Sequence, residues 1–249
     1  MKVMEYGQEH PEVIVLLHGG GLSWWNYREA AQRLKERYHV VIPVLDGHGG
    51  SDRPFTSIEE NAREIISWVD ENCRGHVLLM GGLSLGGQIL LEVLAQRGDI
   101  CQYAVVESAL TLPMKLTAVL VGPSFRLCYP LIRRRWFARL QFRSLRIKEE
   151  LFEEYFADTA AIAREDMVAF LKANADYRLK DVASCAAKAL VLVGEKEQAV
   201  MKKSAEEITK TLPNAQLETL PGLYHGEISI NHAGQYVEKL LRLMGLRQE

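Results

Sequence analysis

Apolar residues along the chain fall into two alternating patterns. Short runs at residues 13–17, 40–44, 76–80, 103–107, 189–193 and 216–220 are apolar, rich in β-branched side chains and poor in charge, as expected of strands buried on both faces of a parallel sheet. A weaker run lies at 3–6. Between them, segments 25–37, 58–72, 86–97, 201–212 and 232–243 repeat apolar residues at helical spacing and predict amphipathic helices. The alternation predicts an α/β fold, a mostly parallel sheet with helices on both faces.

The rhythm breaks once. Residues 113–180 contain no strand pattern, only helical periodicity interrupted by Pro123 and Pro130. An insertion of this kind after one strand suggests a helical cap over the strand ends, where ligands bind in this architecture. The expected organisation is therefore a core of residues 1–112 and 181–249 with a cap at 113–180.

Composition narrows the function. The 249 residues are 48% hydrophobic and 25% charged, with 30 Lys and Arg against 32 Asp and Glu, a formal charge of −2. That balance removes the electrostatic basis for general nucleic-acid binding. No apolar run reaches the ~18 residues of a membrane span, so no stable membrane insertion is expected. Residues 1–10 lack the apolar stretch of a signal peptide, and a cytoplasmic location is expected. Cys73, Cys101, Cys128 and Cys185 are widely separated, which predicts reduced thiols rather than a zinc site or disulfides. With no metal-ligand spacing elsewhere, neither a metal nor a cofactor is expected.

Chemistry concentrates at Gly82-Leu83-Ser84-Leu85-Gly86-Gly87, between the run at 76–80 and the helix that follows. A serine on so tight a strand-to-helix turn needs small residues two positions away on each side, and the turn pushes its hydroxyl outward. The Leu85 N–H then points toward the site. His18-Gly19-Gly20-Gly21 ends the first long run, where a backbone N–H at Gly20, or alternatively Gly21, could join that of Leu85 in an oxyanion hole.

Together these segments resemble the α/β-hydrolase superfamily over nearly the whole chain. Residues 43–52 match its Pro-Asp-x-x-Gly-x-Gly-x-Ser segment, except that Val44 replaces the usual Asp. That segment is structural in the family, so the resemblance implies a loop role for His48. It also implies a general base in the loop after the last strand, where Pro221-Gly222-Leu223-Tyr224-His225-Gly226 offers His225. The family's acid usually lies in a Gly-x-x-Asp segment; here Gly194-Glu195-Lys196-Glu197 puts Glu197 there. Glu107 is the alternative, since some haloalkane dehalogenases of the family draw their acid from the end of that strand.

The resemblance implies a Ser-His-Glu serine hydrolase that cleaves a small ester, thioester or lactone through an acyl-enzyme on Ser84. The family's dehalogenases and epoxide hydrolases use a carboxylate nucleophile, which Ser84 cannot replace. Two alternatives stay open: a carbon–carbon bond hydrolase or enol-lactonase of aromatic catabolism, and a ligand-sensing regulator of the same fold. The partner is a small-molecule substrate, and the chain is expected to be a monomer or homodimer.

Two further features concern the walls of the site. Trp24 and Trp25 are candidates for the acyl pocket. Residues 126–148 carry Arg126, Arg133, Arg134, Arg135, Arg139, Arg143, Arg146 and Lys148 with no acid, interleaved with Leu127, Leu131, Trp136, Phe137, Leu140 and Phe142. The run reads as a solvated face balanced by Glu149, Glu150, Glu153 and Glu154, or as an anionic-substrate funnel or membrane contact.

Overall fold

A computed structural model describes residues 1–246; the side chains of Arg126 and Leu127, two members of the basic cap run, lie outside the described set. Seven strands form one sheet: β1 (Val3–Tyr6), β2 (Val13–Leu17), β3 (His39–Pro43), β4 (Val77–Leu83), β5 (Cys101–Glu107), β6 (Lys188–Gly194) and β7 (Ala215–Leu220). Their spatial order is β1-β3-β2-β4-β5-β6-β7. Only β1 runs antiparallel, against β3, and the five other pairings are parallel. The seven-stranded, mostly parallel sheet with its flanking helices is the expected α/β-hydrolase fold.

The period-two alternation of buried strands explains how the sheet divides the interior. Val15, Leu17, Met80, Ala104, Val106, Val191 and Val193 enter one apolar cluster, and Ile14, Leu16, Leu79, Tyr103, Val105, Leu190 and Leu192 the other. The first face is covered by α2 (Ile58–Cys73), α3 (Leu85–Gln96) and α8 (Ala199–Thr211). The second is covered by α1 (Arg28–Leu34) and α10 (Ala233–Leu243), whose Ala30, Ala31, Leu34, Tyr236, Val237 and Leu240 are buried there. Local signals agree where they are strong. Ser57 Oγ accepts the Glu60 N–H at 3.0 Å, capping α2 as its Ser-x-x-Glu sequence requires.

Between β5 and β6 the chain is helical: α4 (Lys115–Ile132), α5 (Arg135–Ser144), α6 (Phe152–Ala161) and α7 (Arg164–Asp176), with a 3-10 turn at Glu149–Leu151. Ile132, Met167 and Phe170 extend the first core cluster, while Ala138, Phe142, Phe152 and Tyr155 extend the second. The segment between β5 and β6 therefore packs against both clusters.

Several details differ from the sequence pattern. β4 continues past Met80 to Leu83, because Gly81 and Gly82 keep pairing with Leu16 and Leu17 on one side and Val105 and Val106 on the other. The helix expected over 25–37 divides into a 3-10 turn at Trp24–Tyr27 and α1, and a short helix α9 (Glu227–Asn231) was not foreseen. Helix α4 runs through both Pro123 and Pro130. Each proline lies on the exposed side of the helix, where water can satisfy the carbonyl that loses its N–H partner.

Candidate active site

The parallel register lines up the strand ends. Leu83 pairs with Glu107 and Gly194 with Leu220, so the residues following β4, β5, β6 and β7 meet at one edge of the sheet. That edge is where ligands bind in open α/β sheets.

Ser84 follows β4 with φ 54° and ψ −112°, a conformation that costs a non-glycine residue free energy and persists only when its surroundings over-determine it. Its N–H donates to the Glu107 carbonyl at 2.8 Å, and its carbonyl accepts the Gln88 N–H at 3.0 Å. A Cβ on Gly86 would overlap the Leu17 carbonyl oxygen, and one on Gly82 the Gly86 carbonyl oxygen. The Gly-x-Ser-x-Gly spacing is thus required by backbone packing. The Leu85 N–H belongs to the first turn of α3, where helices leave donors without intrahelical partners.

His225 lies in the loop after β7, and its Nδ1 is 2.8 Å from Glu197 Oε2. The other Glu197 oxygen accepts the Ser108 hydroxyl and the Gly194 N–H, each at 2.7 Å. Burial acts to raise the Glu197 carboxyl, but the His225 imidazole, the Gly194 N–H and the Ser108 hydroxyl outweigh it and hold the group below the usual carboxylate range. With Nδ1 committed to Glu197, Nε2 is the nitrogen left for proton transfer. Ser84 and His225 border the same cavity, of about 460 Å³.

Glu107 does not join this chain of contacts. It is 1% exposed, and its Oε1 accepts the Ser229 N–H at 3.5 Å while Oε2 has no hydrogen-bond partner. Burial pushes its carboxyl up to about 7, against the hydrogen bonds from Ser229. Ser108 and the Gly194 N–H, in contrast, are site members that sequence reasoning missed. Ser108 also has a positive φ, 52°, at the end of β5, a backbone property that no residue pattern announces.

At the end of β2, Gly20 lies against Leu85: a Cβ placed on it would sit 3.4 Å from the Leu85 Cβ. Gly21, with φ +74°, has no atom within 4 Å of such a Cβ, and its carbonyl accepts the Thr159 hydroxyl at 3.3 Å. His18 is fully buried, with Nδ1 2.9 Å from the Gly19 carbonyl and Nε2 accepting the Leu45 N–H at 3.1 Å. Burial, then the neighbouring His48, bring it down to about 3, and burial brings His48 down to about 4. Both imidazoles are neutral packing groups, and His48 stacks on Phe170.

The sequence profile of the alpha/beta hydrolase family matches residues 14–239. The chain belongs to the alpha/beta hydrolase family. Among its relatives, Lipase 1 of Psychrobacter immobilis is 22% identical over 252 residues, spanning 90% of this chain and 74% of the lipase. A soluble epoxide hydrolase of Corynebacterium sp. (strain C12) is 28% identical over 130 residues, and that match spans 50% of this chain and less than half, 42%, of the relative. In three dimensions the chain is similar to the enol-lactonase from Burkholderia xenovorans LB400, with a TM-score of 0.81 at 16% identity over 98% of this chain and 94% of that one. At that identity the likeness concerns the fold.

In this alpha/beta hydrolase the cavity is walled by Leu110, Met114, Leu145, Val200 and Met201, with Arg146, Lys196 and Tyr224 also lining it. Trp24 and Trp25, read from sequence as its acyl pocket, are not among its walls. Trp25 is 2% exposed and donates from Nε1 to Asp158 Oδ2 at 2.8 Å, which ties the 3-10 turn to α6. The guanidinium of Arg28 covers the Trp24 ring, 5.6 Å from its centroid.

The basic run is balanced only in part. Arg135 pairs with Glu153, Arg139 with Glu149, and Lys148 with Glu29 and Glu150. Arg146 points elsewhere, into the cavity. Among the described residues no cluster of three or more His, Cys, Asp or Glu could hold a metal ion, and no helix is long and apolar enough to cross a membrane.

Proposed function

We propose that this alpha/beta hydrolase cleaves small esters, thioesters or lactones through an acyl-enzyme on Ser84, with His225 as general base and Glu197 as its acid partner. The carrying observation is the 2.8 Å Glu197–His225 contact at a cavity that the strained Ser84 also borders. In this reading His225 Nε2 takes the Ser84 proton as Oγ attacks the acyl carbon, and Glu197 stabilises the resulting imidazolium. The oxyanion of the tetrahedral intermediate is held by the N–H groups of Leu85 and Gly20, a choice supported over Gly21 by the contact of Gly20 with Leu85. Collapse breaks the acyl–oxygen or acyl–sulfur bond, and the imidazolium returns the proton to the leaving group. Water, deprotonated by His225, then attacks the acyl-enzyme and releases the acid and free Ser84.

The helices between β5 and β6 act as the cap, contributing Met114, Leu145 and Arg146 to the walls. The test is a panel of p-nitrophenyl esters combined with fluorophosphonate labelling. Wild type should turn over and label once, and Ser84→Ala should lose the label and several orders of magnitude of rate. Labelling that survives in the variant overturns the assignment; labelling of wild type without turnover would assign a ligand-sensing role instead.

A further inference from the structure

Beside the proposed catalytic groups, one end of the cavity carries two cations without ion-pair partners among the described residues. Arg146 and Lys196 both line the space that Ser84 and His225 border, and neither has a carboxylate within salt-bridge distance, whereas Arg135, Arg139 and Lys148 of the same basic run do. Both lie over one aromatic ring. Arg146 Cζ is 3.7 Å from the Tyr224 ring centroid and Lys196 Nζ is 5.2 Å from it, so one ring gives both cations a favourable electrostatic contact. Tyr224 immediately precedes His225, which fixes this charged end next to the imidazole.

Three segments are built to keep that arrangement. Arg146 has a left-handed backbone, φ 56°, which a long side chain adopts only under constraint. The constraint is Asn231, whose Nδ2 donates to the Arg146 carbonyl at 2.7 Å and whose Oδ1 accepts the Lys148 N–H at 3.1 Å. One core side chain thereby clamps the turn that carries Arg146. Opposite, the Lys196 N–H donates to the Leu223 carbonyl at 3.0 Å, joining the loop after β6 to the loop of Tyr224.

The nearby carboxylates are already engaged. Glu197, the one acid lining the cavity, is held by His225. Glu195 accepts the Gly222 N–H and Glu227 the Tyr224 N–H. The rest of the wall is uncharged, with apolar Leu110, Met114, Leu145, Val200 and Met201 beside the polar Ser144, Asn174 and Gln198. The site thus offers a largely apolar chamber whose two cations, Arg146 and Lys196, suit a ligand with an apolar middle and an anionic terminus.

We propose that the substrate carries a carboxylate, bound between Arg146 and Lys196 over Tyr224, so that the preferred compounds are anionic esters such as monoesters of dicarboxylic acids. This rests on the Ser84 reading for the reaction, but the anion site can be tested apart from it. Two matched pairs locate the charge: p-nitrophenyl hydrogen adipate against p-nitrophenyl methyl adipate places it on the acyl side, and 4-acetoxybenzoate against its methyl ester places it on the leaving group. At low ionic strength kcat/KM should favour the anion about tenfold in at least one pair, mainly through KM. In the double variant Arg146→Gln, Lys196→Gln that ratio should fall to about unity. Ester turnover with no anion preference, or a preference that survives in the double variant, overturns the anion site while the Ser84 reading stands. If no ester turns over, calorimetry with adipate decides: saturable binding to wild type that the double variant loses supports the site, and its absence at millimolar adipate overturns it.

Discussion

Glu197 holds the His225 imidazole through Oε2 at 2.8 Å, while Ser108 and the Gly194 N–H grip the other oxygen at 2.7 Å. The carboxylate is fixed from both sides, so the ring it holds has one tautomer and one orientation. Longer by one methylene than Asp, Glu197 still reaches because it starts from the loop immediately after β6, three residues past Gly194.

Replacement of Glu197 by Gln should therefore lower kcat at least ~100-fold with little change in KM, since an amide neither fixes the tautomer nor stabilises the imidazolium. Glu107→Gln should change kcat modestly, because Glu107 contacts Ser229 and not His225. Steady-state kinetics on one ester distinguish the two. A larger loss in the Glu107 variant would transfer the acid role to it.

Ser108 supplies one donor to Glu197 from a backbone with φ 52°. Ser108→Ala and Ser108→Gly both remove that donor, and both should lower kcat by roughly 3- to 10-fold, matching the ~1 kcal/mol net worth of one hydrogen bond. Glycine relieves the left-handed backbone and alanine does not, so the glycine variant should melt higher. Equal melting temperatures with unequal kcat values would contradict this division of effects.

Sequence carries the sheet and the elbow because each rests on a local rule, whereas Glu197 and His225 are suggested only by the family resemblance, with Glu107 left open beside Glu197. Buried strands must be apolar runs, and the serine turn requires Gly82 and Gly86 where carbonyl oxygens leave no room for Cβ. The cavity walls follow no such rule. Arg146 reaches the cavity from the segment between β5 and β6, where Asn231, 85 residues further along the chain, clamps its turn, and nothing local separates it from Arg135 or Arg139. Trp25 is ambiguous in sequence for the same reason: an indole near the glycines fits a pocket wall as well as it fits a buried bond to Asp158 in α6. Prolines in α4 mislead because tolerance depends on which side of the helix faces water, and the insertion's packing decides that.

Trp25 ties the 3-10 turn at Trp24–Tyr27 to α6, so Trp25→Phe should destabilise the protein by about 1–3 kcal/mol by leaving the half-buried Asp158 without its indole donor. Limited proteolysis should cut first within residues 115–176. Acyl-chain-length preference should not change, since Trp25 is not a cavity wall. A shift in that preference with unchanged stability would return Trp25 to the pocket.

Glu107 and Glu197, both buried, should pull stability in opposite directions with pH. Glu197 is held below its usual range in the folded protein, so its contribution is present above the unfolded value and fades as pH falls. Glu107 is raised from 4.5 to about 7. Between those values the folded state binds a proton that the unfolded state has released, so stability falls as pH rises. The Glu107 contribution is complete below about pH 4.5 and lost as pH climbs through about 7, on the order of 3 kcal/mol at full extent. Glu107→Gln keeps an acceptor for the Ser229 N–H and cannot ionise, so the variant should lose this slope and gain on wild type between pH 5.5 and pH 8. Denaturant unfolding at those two pH values checks it. A variant destabilised equally at both would mean that Glu107 is ionised in the folded protein, with its charge held by Ser229.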